Sequence, residues 1–372
     1  MKRVKLIDVA RAAGVHPGTA SRALNPATRD QVSRETSRRV ARAAERLSYV
    51  PNAVARGLRT SRSYIVAMVV PDVTNPLFPP MVRAAEQVLS RAGYTVVLTD
   101  TDNDAATERR QIELLRARGA DGFIVATARW DDPLLDELAD AHVPAVLLNR
   151  NTASARLPYV GADDRTGITM AIDHLARLGH RQISYVAGPQ DTSTGRERTA
   201  AFRQAIRSHG LPISRSQVRV CAAYTEAAGA VVARSLIRSG HDCTAILAGN
   251  DLIAFGVLSE LTRAGISCPE QMSLIGFNDL PLVDKLTPPL TTVRVPLAAM
   301  GALAAQILLT EIDGTSGNGA ISQSLLGAEL VIRGTTAAPS AAQSGQLHAP
   351  RRRQPTRPAP RADTARSLLA GK

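Results

Sequence analysis

Polar residues follow the apolar, β-branched stretches of the sequence, at the points where buried strands would end. In folds with parallel strands, ligands bind beyond the carboxyl ends of the strands, so these residues are the candidates for binding chemistry. The candidates are Asp72, Asn75, Asn149, Arg196, Asn250, Asn278 and Asp279. Carboxylate, amide and guanidinium groups pair the hydroxyl or carboxylate groups of a small molecule when water is excluded. The chemistry predicted here is recognition of a small polar ligand.

Three aromatic residues, Phe78, Trp130 and Tyr224, could supply apolar walls for a sugar ring in such a site. For Trp130, the single tryptophan of the chain, a position on the rim or surface fits equally well. For Phe78, simple packing in the core is the stronger alternative.

Catalytic and metal-binding chemistry has little support in the sequence. It contains no GxGxxG after a strand, no GxxxxGK[ST] phosphate loop and no nucleophile elbow. His241 and Cys243 form a lone pair with no matching second pair, which argues against zinc. His174 and His180 are better explained by a role at a helix end and in packing than by catalysis or metal binding. We therefore predict no catalytic residues, no metal and no cofactor.

Basic residues are concentrated at the N-terminus. Residues 1–63 hold 14 Lys/Arg and 4 Asp/Glu (+10), residues 64–337 hold 24 and 28 (−4), and residues 338–372 hold 7 and 1 (+6). A basic head on a mildly acidic body indicates a head that binds a polyanion. Three cysteines in 372 residues exclude a disulfide scaffold and favour the cytoplasm. We expect neither a signal peptide nor a membrane-spanning segment.

The basic head has the pattern of a helix-turn-helix. Apolar residues from Leu6 to Ala13 recur at spacings of three and four, and Gly14 suits the left-handed end of that helix. Pro17 suits the first position of a second helix, whose outward face carries Arg22. Ser33 is the predicted N-cap of a third helix. This arrangement is typical of proteins that enter the major groove, and the alternative is a generic basic three-helix bundle.

Residues 64–337 alternate apolar strand-like segments with amphipathic helix-like segments, including a helix predicted over 196–209. About nine strands of this kind predict parallel sheets covered on both faces, arranged as two similar α/β lobes. From about Ala338 onward, Ser, Ala, Pro, Gln and Arg dominate, which predicts a disordered tail.

Many motifs of the chain, in this order, resemble the lactose/galactose repressor (LacI/GalR) family of bacterial transcriptional regulators. The motifs are LIDVA (6–10), AGV (13–15), SRALN (21–25), YVPN (49–52), VARGL (54–58), PDVTNP (71–76), LGHR (178–181), AGP (187–189), ND (250–251), IGFND (275–279) and PLTTV (289–293). The resemblance covers residues 4 to about 335. It implies a homodimer that binds a palindromic operator in double-stranded DNA under the control of a small-molecule effector.

The resemblance also implies the architecture: an all-α helix-turn-helix head (1–49), a hinge helix or linker (50–63), an α/β core (64–337) and a disordered basic tail (338–372). The core would consist of two Rossmann-like lobes, as in type I periplasmic binding proteins. The first lobe would comprise about 64–161 and 293–320, and the second about 162–292 and 321–335.

By resemblance, DNA would be bound by His16, Pro17, Gly18, Thr19, Ser21, Arg22, Asn25, Asn52, Ala55, Leu58 and Arg59. The family usually has a small hydroxyl residue where His16 stands, and base-reading side chains often occupy the positions of Pro17 and Gly18. Arg22 is therefore the main candidate for a bidentate contact to guanine, worth ~1–3 kcal/mol against a wrong base. Leu58 would be the wedge that enters the minor groove. The alternative for residues 50–63 is a plain flexible linker.

The resemblance places the effector between the lobes, against Asp72, Asn75, Phe78, Trp130, Arg196, Tyr224, Asn250, Asn278 and Asp279. The family often has Asp where Asn278 stands, so that role is divided between Asn278 and Asp279. The alternative for Arg196 is a surface ion pair with Glu197 or Glu226. A sugar or related metabolite that releases DNA is the expected effector.

Two other classes of protein share parts of this pattern. A solute-binding protein without a regulatory role would have the core, but the basic head argues against it. A non-specific nucleic-acid-binding protein would explain the charge, but it would leave a core of about 270 residues unexplained.

Overall fold

The fold is described from a computed structural model, which describes residues 4–24, 28–49, 62–240, 242–315 and 321–340. Several predictions concern positions outside the described residues, namely Asn25, Asn52, Ala55, Leu58, Arg59 and the tail beyond residue 340. No helix in the described ranges is long and apolar enough to cross a membrane.

The head consists of three helices around a small core: α1 (Leu6–Ala13), α2 (Pro17–Leu24) and α3 (Arg34–Arg46). Val9, Ala20 and Val40, one residue from each helix, are fully buried. Gly14 ends α1 in the left-handed conformation, with φ of 63°. The Ser33 side chain accepts a hydrogen bond from the Thr36 N–H, which confirms the predicted cap of α3. The helix-turn-helix predicted from the sequence is therefore present.

The first sheet of the core is parallel throughout and has the strand order β11-β5-β4-β3-β1-β2. Its strands are β1 (Ile65–Val70), β2 (Thr95–Asp100), β3 (Gly122–Val125), β4 (Ala145–Leu148), β5 (Tyr159–Ala162) and β11 (Gln323–Leu326). Val66, Met68 and Val70 face one apolar core, whereas Ala67 and Val69 face another. Both faces of the sheet are thus covered, as the continuous apolar run of β1 predicts.

The second sheet has the order β12-β10-β9-β8-β6-β7, and only β12 runs antiparallel to its neighbour. Its strands are β6 (Ile183–Ala187), β7 (Val218–Val220), β8 (Ala245–Ala248), β9 (Ser273–Asn278), β10 (Thr291–Arg294) and β12 (Glu329–Val331). Two similar α/β lobes are present, as predicted.

The helices of the core are α4 (Phe78–Arg91), α5 (Ala105–Ala117), α6 (Pro133–Asp140), α7 (Asp164–Arg177), α8 (Ser193–Ser208), α9 (Glu226–Arg238), α10 (Asp251–Arg263) and α11 (Leu297–Asp313). The pairs α4 with α11, α7 with α8 and α9 with α10 pack together. Gly301 of α11 permits one of these close approaches, because a Cβ atom there would lie 2.1 Å from the Met81 carbonyl oxygen.

The boundary between the lobes differs from the prediction in the last part of the core. Residues 321–335 were predicted to belong to the second lobe as one piece. The structure instead places β11 beside β5 in the first sheet and β12 beside β10 in the second. The chain therefore crosses between the lobes once more, between β11 and β12. The two strands are only four and three residues long, which is too short for the sequence pattern to show the crossing.

Candidate functional site

A narrow cavity lies where the carboxyl ends of the two sheets face each other. It is lined by Asn75, Leu77, Phe78, Asn149, Arg150, Thr194, Arg198, Tyr224, Asn250 and Asn278. The first five come from the first lobe and the others from the second. Its free volume is about 20 Å³, which is room for about one water molecule. A ligand the size of a sugar therefore requires the lobes to separate before it can enter.

The first-lobe wall is formed by the segments that follow β1 and β4. The Asn75 side-chain oxygen accepts a hydrogen bond from the Leu77 N–H at 3.0 Å, which shapes the turn into α4. Phe78 begins that helix and is 2% exposed. Asn149 has a positive φ of 67°, a conformation that asparagine tolerates better than most residues. These local features hold two amide groups and an aromatic ring at one edge of the sheet.

The second-lobe wall is formed by the segments that follow β6, β7 and β8 and by the end of β9. Asn250 caps α10, with its side-chain oxygen 2.9 Å from the Ile253 nitrogen. Asn278 has a φ of 118°, and such strained backbone is concentrated at functional sites. The Tyr224 hydroxyl lies 3.0 Å from the Thr194 hydroxyl.

Gly188 makes room for the Tyr224 ring at this wall. A Cβ atom at position 188 would lie 2.2 Å from that ring, so a larger residue could not be accommodated without a shift. The ring consequently packs closely against the backbone that follows β6, at the edge of the cavity.

Arg198, on α8, is the most constrained charged residue of the cavity. It is 3% exposed, and its guanidinium donates to the Gly249 carbonyl oxygen at 2.7 Å and lies 3.0 Å from an Asp164 carboxylate oxygen. The guanidinium carbon lies 3.8 Å from the centre of the Phe277 ring. Its Nε has no hydrogen-bond acceptor among the described residues. Arg198 is thus fixed by the protein while one donor stays unused.

Arg196 and Trp130, both predicted to bind the effector, lie outside the cavity lining. Arg196 is exposed; its Nε donates to the Gln190 carbonyl oxygen at 2.7 Å, and its guanidinium lies 5.2 Å from the centre of the Trp130 ring. The Trp130 N–H donates to the Asp191 carbonyl oxygen at 2.6 Å. Because Trp130 belongs to the first lobe and Arg196 and Asp191 belong to the second, the two contacts of Trp130 join the lobes at the rim.

The surface alternative for Arg196 does not match its observed partners either. Among the described residues, the ion pairs of the core do not include one from Arg196 to Glu197 or Glu226.

Asp72 and Asp279 also lie outside the cavity lining. An Asp72 carboxylate oxygen accepts hydrogen bonds from the Thr74 N–H at 2.8 Å and the Thr74 hydroxyl at 2.6 Å. Asp279 accepts one hydrogen bond from Arg294 and one from Arg333, both at 2.7 Å. Both carboxylates are thus engaged by the protein, and no carboxylate is among the residues that line the described cavity.

Five predicted residues come together in the cavity: Asn75, Phe78, Tyr224, Asn250 and Asn278. Asn149, which was singled out as a residue that follows a strand, joins them. Sequence reasoning missed Leu77, Arg150 and Arg198. Arg198 was missed because α8 begins at Ser193 and not near 196, and residues two apart on a helix point in very different directions.

The head presents the surface on which the DNA-binding residues were predicted. Gly18 and Arg22 are exposed on α2, whereas Pro17, Thr19 and Ser21 are half-buried. Among the described residues, no ion pair involves Arg22. Its guanidinium is thus available to a ligand at this surface.

His16 replaces the small hydroxyl residue as the cap of α2. Its Nδ1 accepts a hydrogen bond from the Gly18 N–H at 3.1 Å, and its carbonyl oxygen accepts from the Thr19 and Ala20 N–H groups. A Cβ atom at position 18 would lie 3.3 Å from that Nδ1. The absence of a side chain at Gly18 therefore leaves room for the imidazole, and the two departures from the family pattern are structurally linked.

Two family descriptions match the chain. Bacterial regulatory proteins of the lacI family match residues 5–52, and the periplasmic binding protein-like domain matches residues 172–336. The chain is 35% identical over 342 residues to an uncharacterized HTH-type transcriptional regulator of Streptomyces limosus, covering 90% of this chain and 94% of that protein. It is 32% identical over 334 residues to the transcriptional repressor CytR of Escherichia coli, covering 89% and 96%.

Solved structures of similar proteins have the same architecture. The regulator CelR in complex with cellobiose is 30% identical, with a TM-score of 0.69, and covers 90% of this chain and all of that one. The Lac repressor bound to ONPG in the repressed state is 25% identical, with a TM-score of 0.78 over the same share of both chains. With its helix-turn-helix head, its two-lobed core and relatives of this identity along nine-tenths of its length, the chain belongs to the LacI family of bacterial transcriptional regulators.

Proposed function

We propose that this protein represses transcription as a cytoplasmic homodimer bound to a palindromic operator, and that a small polar effector in the inter-lobe cavity controls its affinity for DNA. The main support for this proposal is the cavity, because residues of both lobes line it. A ligand bound there contacts both walls only when the lobes are close together. Such a ligand shifts the equilibrium between lobe arrangements by its difference in affinity for them.

The effector contacts in this proposal follow the cavity lining. Asn75, Asn149, Asn250 and Asn278 offer amide groups, each with donors and an acceptor for ligand hydroxyls. Arg198 takes the role that the sequence assigned to Arg196, since its Nε has no acceptor of its own among the described residues. A sugar or a related hydroxylated metabolite matches this set.

DNA reading in this proposal depends on Arg22. It is the long donor side chain on the exposed face of α2, and His16 secures the N-terminal turn of that helix. The exposed arginines of α3 suit phosphate contacts, which set affinity without reading sequence. The exposed arginines of α3 are Arg34, Arg38, Arg39, Arg42 and Arg46.

The DNA part of the proposal is tested with Arg22→Ala in the full chain. An operator is first selected from random duplexes, and binding to it and to a scrambled duplex is then measured at one salt concentration. We expect a loss of ~1–3 kcal/mol on the operator and a smaller loss on the scrambled duplex. Equal losses on both would show that Arg22 is only a phosphate anchor. Arg39→Ala, an exposed arginine of α3, is the matched control.

The effector part is tested by adding sugars and related metabolites to the same operator complex. We expect one class of compound to change operator affinity while it leaves the scrambled complex unchanged. A protein whose operator affinity responds to no compound that binds its core would contradict effector control.

A further inference from the structure

We propose that a groove between α1 and α3 of the head binds the phosphate backbone of a second DNA duplex, in addition to the operator that α2 reads. Four arginines of α3 line this groove, which we call the arginine groove: Arg38, Arg39, Arg42 and Arg46. Its volume is about 560 Å³. The inference goes beyond the proposed function, which gives each head a single DNA-binding surface.

The guanidinium groups of the arginine groove have no partner within the described part of the chain. All four side chains are exposed, and no ion pair or side-chain hydrogen bond between described residues involves them. Glu35 also lines the groove, but its carboxylate is not within ion-pair distance of any of the four. The groove therefore presents four positive charges and one negative charge to solvent.

The spacing of the arginines suits a phosphate backbone. Arg38, Arg42 and Arg46 follow each other at intervals of four and therefore share one face of α3. Each interval advances ~6 Å along the helix axis, so the three residues span ~12 Å. Because the phosphates of one DNA strand advance ~3.4 Å each along the duplex axis, this span covers three or four of them. Like charges at this spacing destabilise a helix, and bound phosphates would remove that repulsion.

The arginine groove and the surface that reads the operator lie on different sides of the head. The described lining of the groove comes from α1, through Ala12, and from α3. The three helices of the head pack against one another in pairs, so a groove between α1 and α3 lies away from the exposed face of α2, where Arg22 stands. Phosphates bound in the arginine groove therefore belong to a duplex other than the operator, and both surfaces can be occupied together.

The composition of the groove favours nucleic acid over a protein partner. The apolar part of its described lining consists of Ala12 and Ala43, whereas the core of a protein interface is depleted of charged residues and enriched in aromatic side chains. Guanidinium groups without apolar anchors suit phosphate contacts that are independent of sequence. Because the operator holds the head beside further duplex DNA, we assign duplex DNA, and not RNA, as the polyanion.

The test is capture of a second duplex by protein that is already bound to an operator. The selected operator duplex is fixed to beads and loaded with the full chain, unbound protein is washed away, and a labelled duplex without operator sequence is added. Capture is expressed per molecule of bound protein, which separates the arginine groove from operator affinity. We expect the association constant for the second duplex to fall roughly 50-fold when the salt concentration rises threefold from about 50 mM, because about four phosphates release their counterions.

The groove variant carries Arg38→Gln, Arg42→Gln and Arg46→Gln together. Gln has about the same helix propensity as Arg, and the change removes like charges four residues apart, so thermal unfolding should show that the variant is folded. We expect capture per bound protein to fall at least roughly tenfold near 50 mM salt. The slope of the salt dependence should decrease by about one for each arginine removed.

The matched control carries Arg118→Gln, Arg203→Gln and Arg207→Gln together. It removes the same charge from exposed arginines of the core, and it should capture the second duplex like the parent. Equal capture by the groove variant and by this control would overturn the inference, because net charge and not the arginine groove would then hold the duplex.

Three further outcomes decide the identity of the bound polyanion. The captured duplex is offered with and without the operator sequence, and equal capture supports the inference, whereas a preference for the operator would show that α2 of another molecule holds it. Polyglutamate or duplex RNA that displaces the captured DNA more effectively than duplex DNA, at equal charge, would contradict the assignment to DNA. Operator-bound protein that captures no second duplex would overturn the inference and leave the proposed function standing.

Discussion

The interior and the rim of the inter-lobe face use arginine in different ways. Arg198, in the interior, is 3% exposed and is bound to Asp164 and Gly249. Arg196, at the rim, is exposed and lies against Trp130. The two residues are two positions apart in the sequence, yet the helix rotates their side chains by about 200° relative to each other. Burial, and not residue type, therefore decides which arginine can hold a ligand.

The contacts of the interior and those of the rim should therefore contribute differently to the free energy of unfolding. Removing one partner of a buried, hydrogen-bonded ion pair typically costs ~3–5 kcal/mol. An exposed contact between a cation and an aromatic ring contributes ~0.5–1 kcal/mol. The interior should therefore control both stability and ligand affinity, whereas the rim should modulate closure only slightly.

The largest effect is expected for Arg198→Met. The change leaves the Asp164 carboxylate buried without its partner, and we expect a loss of ~3–5 kcal/mol in the free energy of unfolding of the core. Urea unfolding of the full chain measures it. Adding Asp164→Asn should recover part of the loss, because the uncompensated charge is then removed. A loss below about 1 kcal/mol would show that Arg198 contributes no more to the free energy of unfolding than the exposed Arg196.

The second prediction concerns Asp251, a buried carboxylate immediately behind the cavity wall. Burial raises its pKa to about 6, although it accepts hydrogen bonds from the Thr292 hydroxyl and the Leu280 N–H. The folded protein therefore binds a proton at the Asp251 carboxylate more tightly than the unfolded chain does, since the pKa of an unfolded Asp is about 3.9. The contribution of Asp251 to stability is greatest below pH 4, declines as the pH rises to about 6, and is constant above it.

The total decline amounts to ~3 kcal/mol at most, since one pKa unit corresponds to about 1.4 kcal/mol. Urea midpoints from pH 4 to 8 should show it as a difference between the parent and Asp251→Asn. Parallel pH profiles for the two proteins would contradict the assignment of a raised pKa to Asp251.

The smallest effect is expected at the rim. In a double-mutant cycle of Trp130→Ala and Arg196→Gln, the coupling energy for unfolding should be ~0.5–1 kcal/mol. The backbone hydrogen bond from the Trp130 N–H to Asp191 does not depend on either side chain and should persist. A coupling energy as large as that of the Arg198–Asp164 pair would remove the distinction between rim and interior.

The sequence predicts cavity residues correctly where their position at the end of a strand decides whether they reach the cavity. Asn75, Asn250 and Asn278 were predicted because the carboxyl ends of parallel strands meet at one edge, and the structure brings all three to the cavity. Asp279 was predicted on the same grounds, but Arg294 and Arg333 engage its carboxylate. Pairing with residues that are distant in sequence cannot be seen in a local pattern.

Two other differences have equally specific causes. Arg196 was preferred to Arg198 because the start of α8 was placed three residues too late, and a small error in a helix start changes which side chain faces inward. The extra crossing between β11 and β12 was missed because both strands are short and their side chains are only partly buried.

We propose that the effector site lies in the interior of the cavity and not at its rim. The most direct test of this proposal is calorimetric titration of the most stabilising compound into the parent, Asn278→Ala and Arg196→Gln proteins. We predict that Asn278→Ala weakens binding about tenfold or more, since a ligand group in the closed cavity loses its partner. Arg196→Gln should stay within about fivefold of the parent. Loss of binding in Arg196→Gln together with unchanged binding in Asn278→Ala would show that the rim, and not the interior, holds the effector.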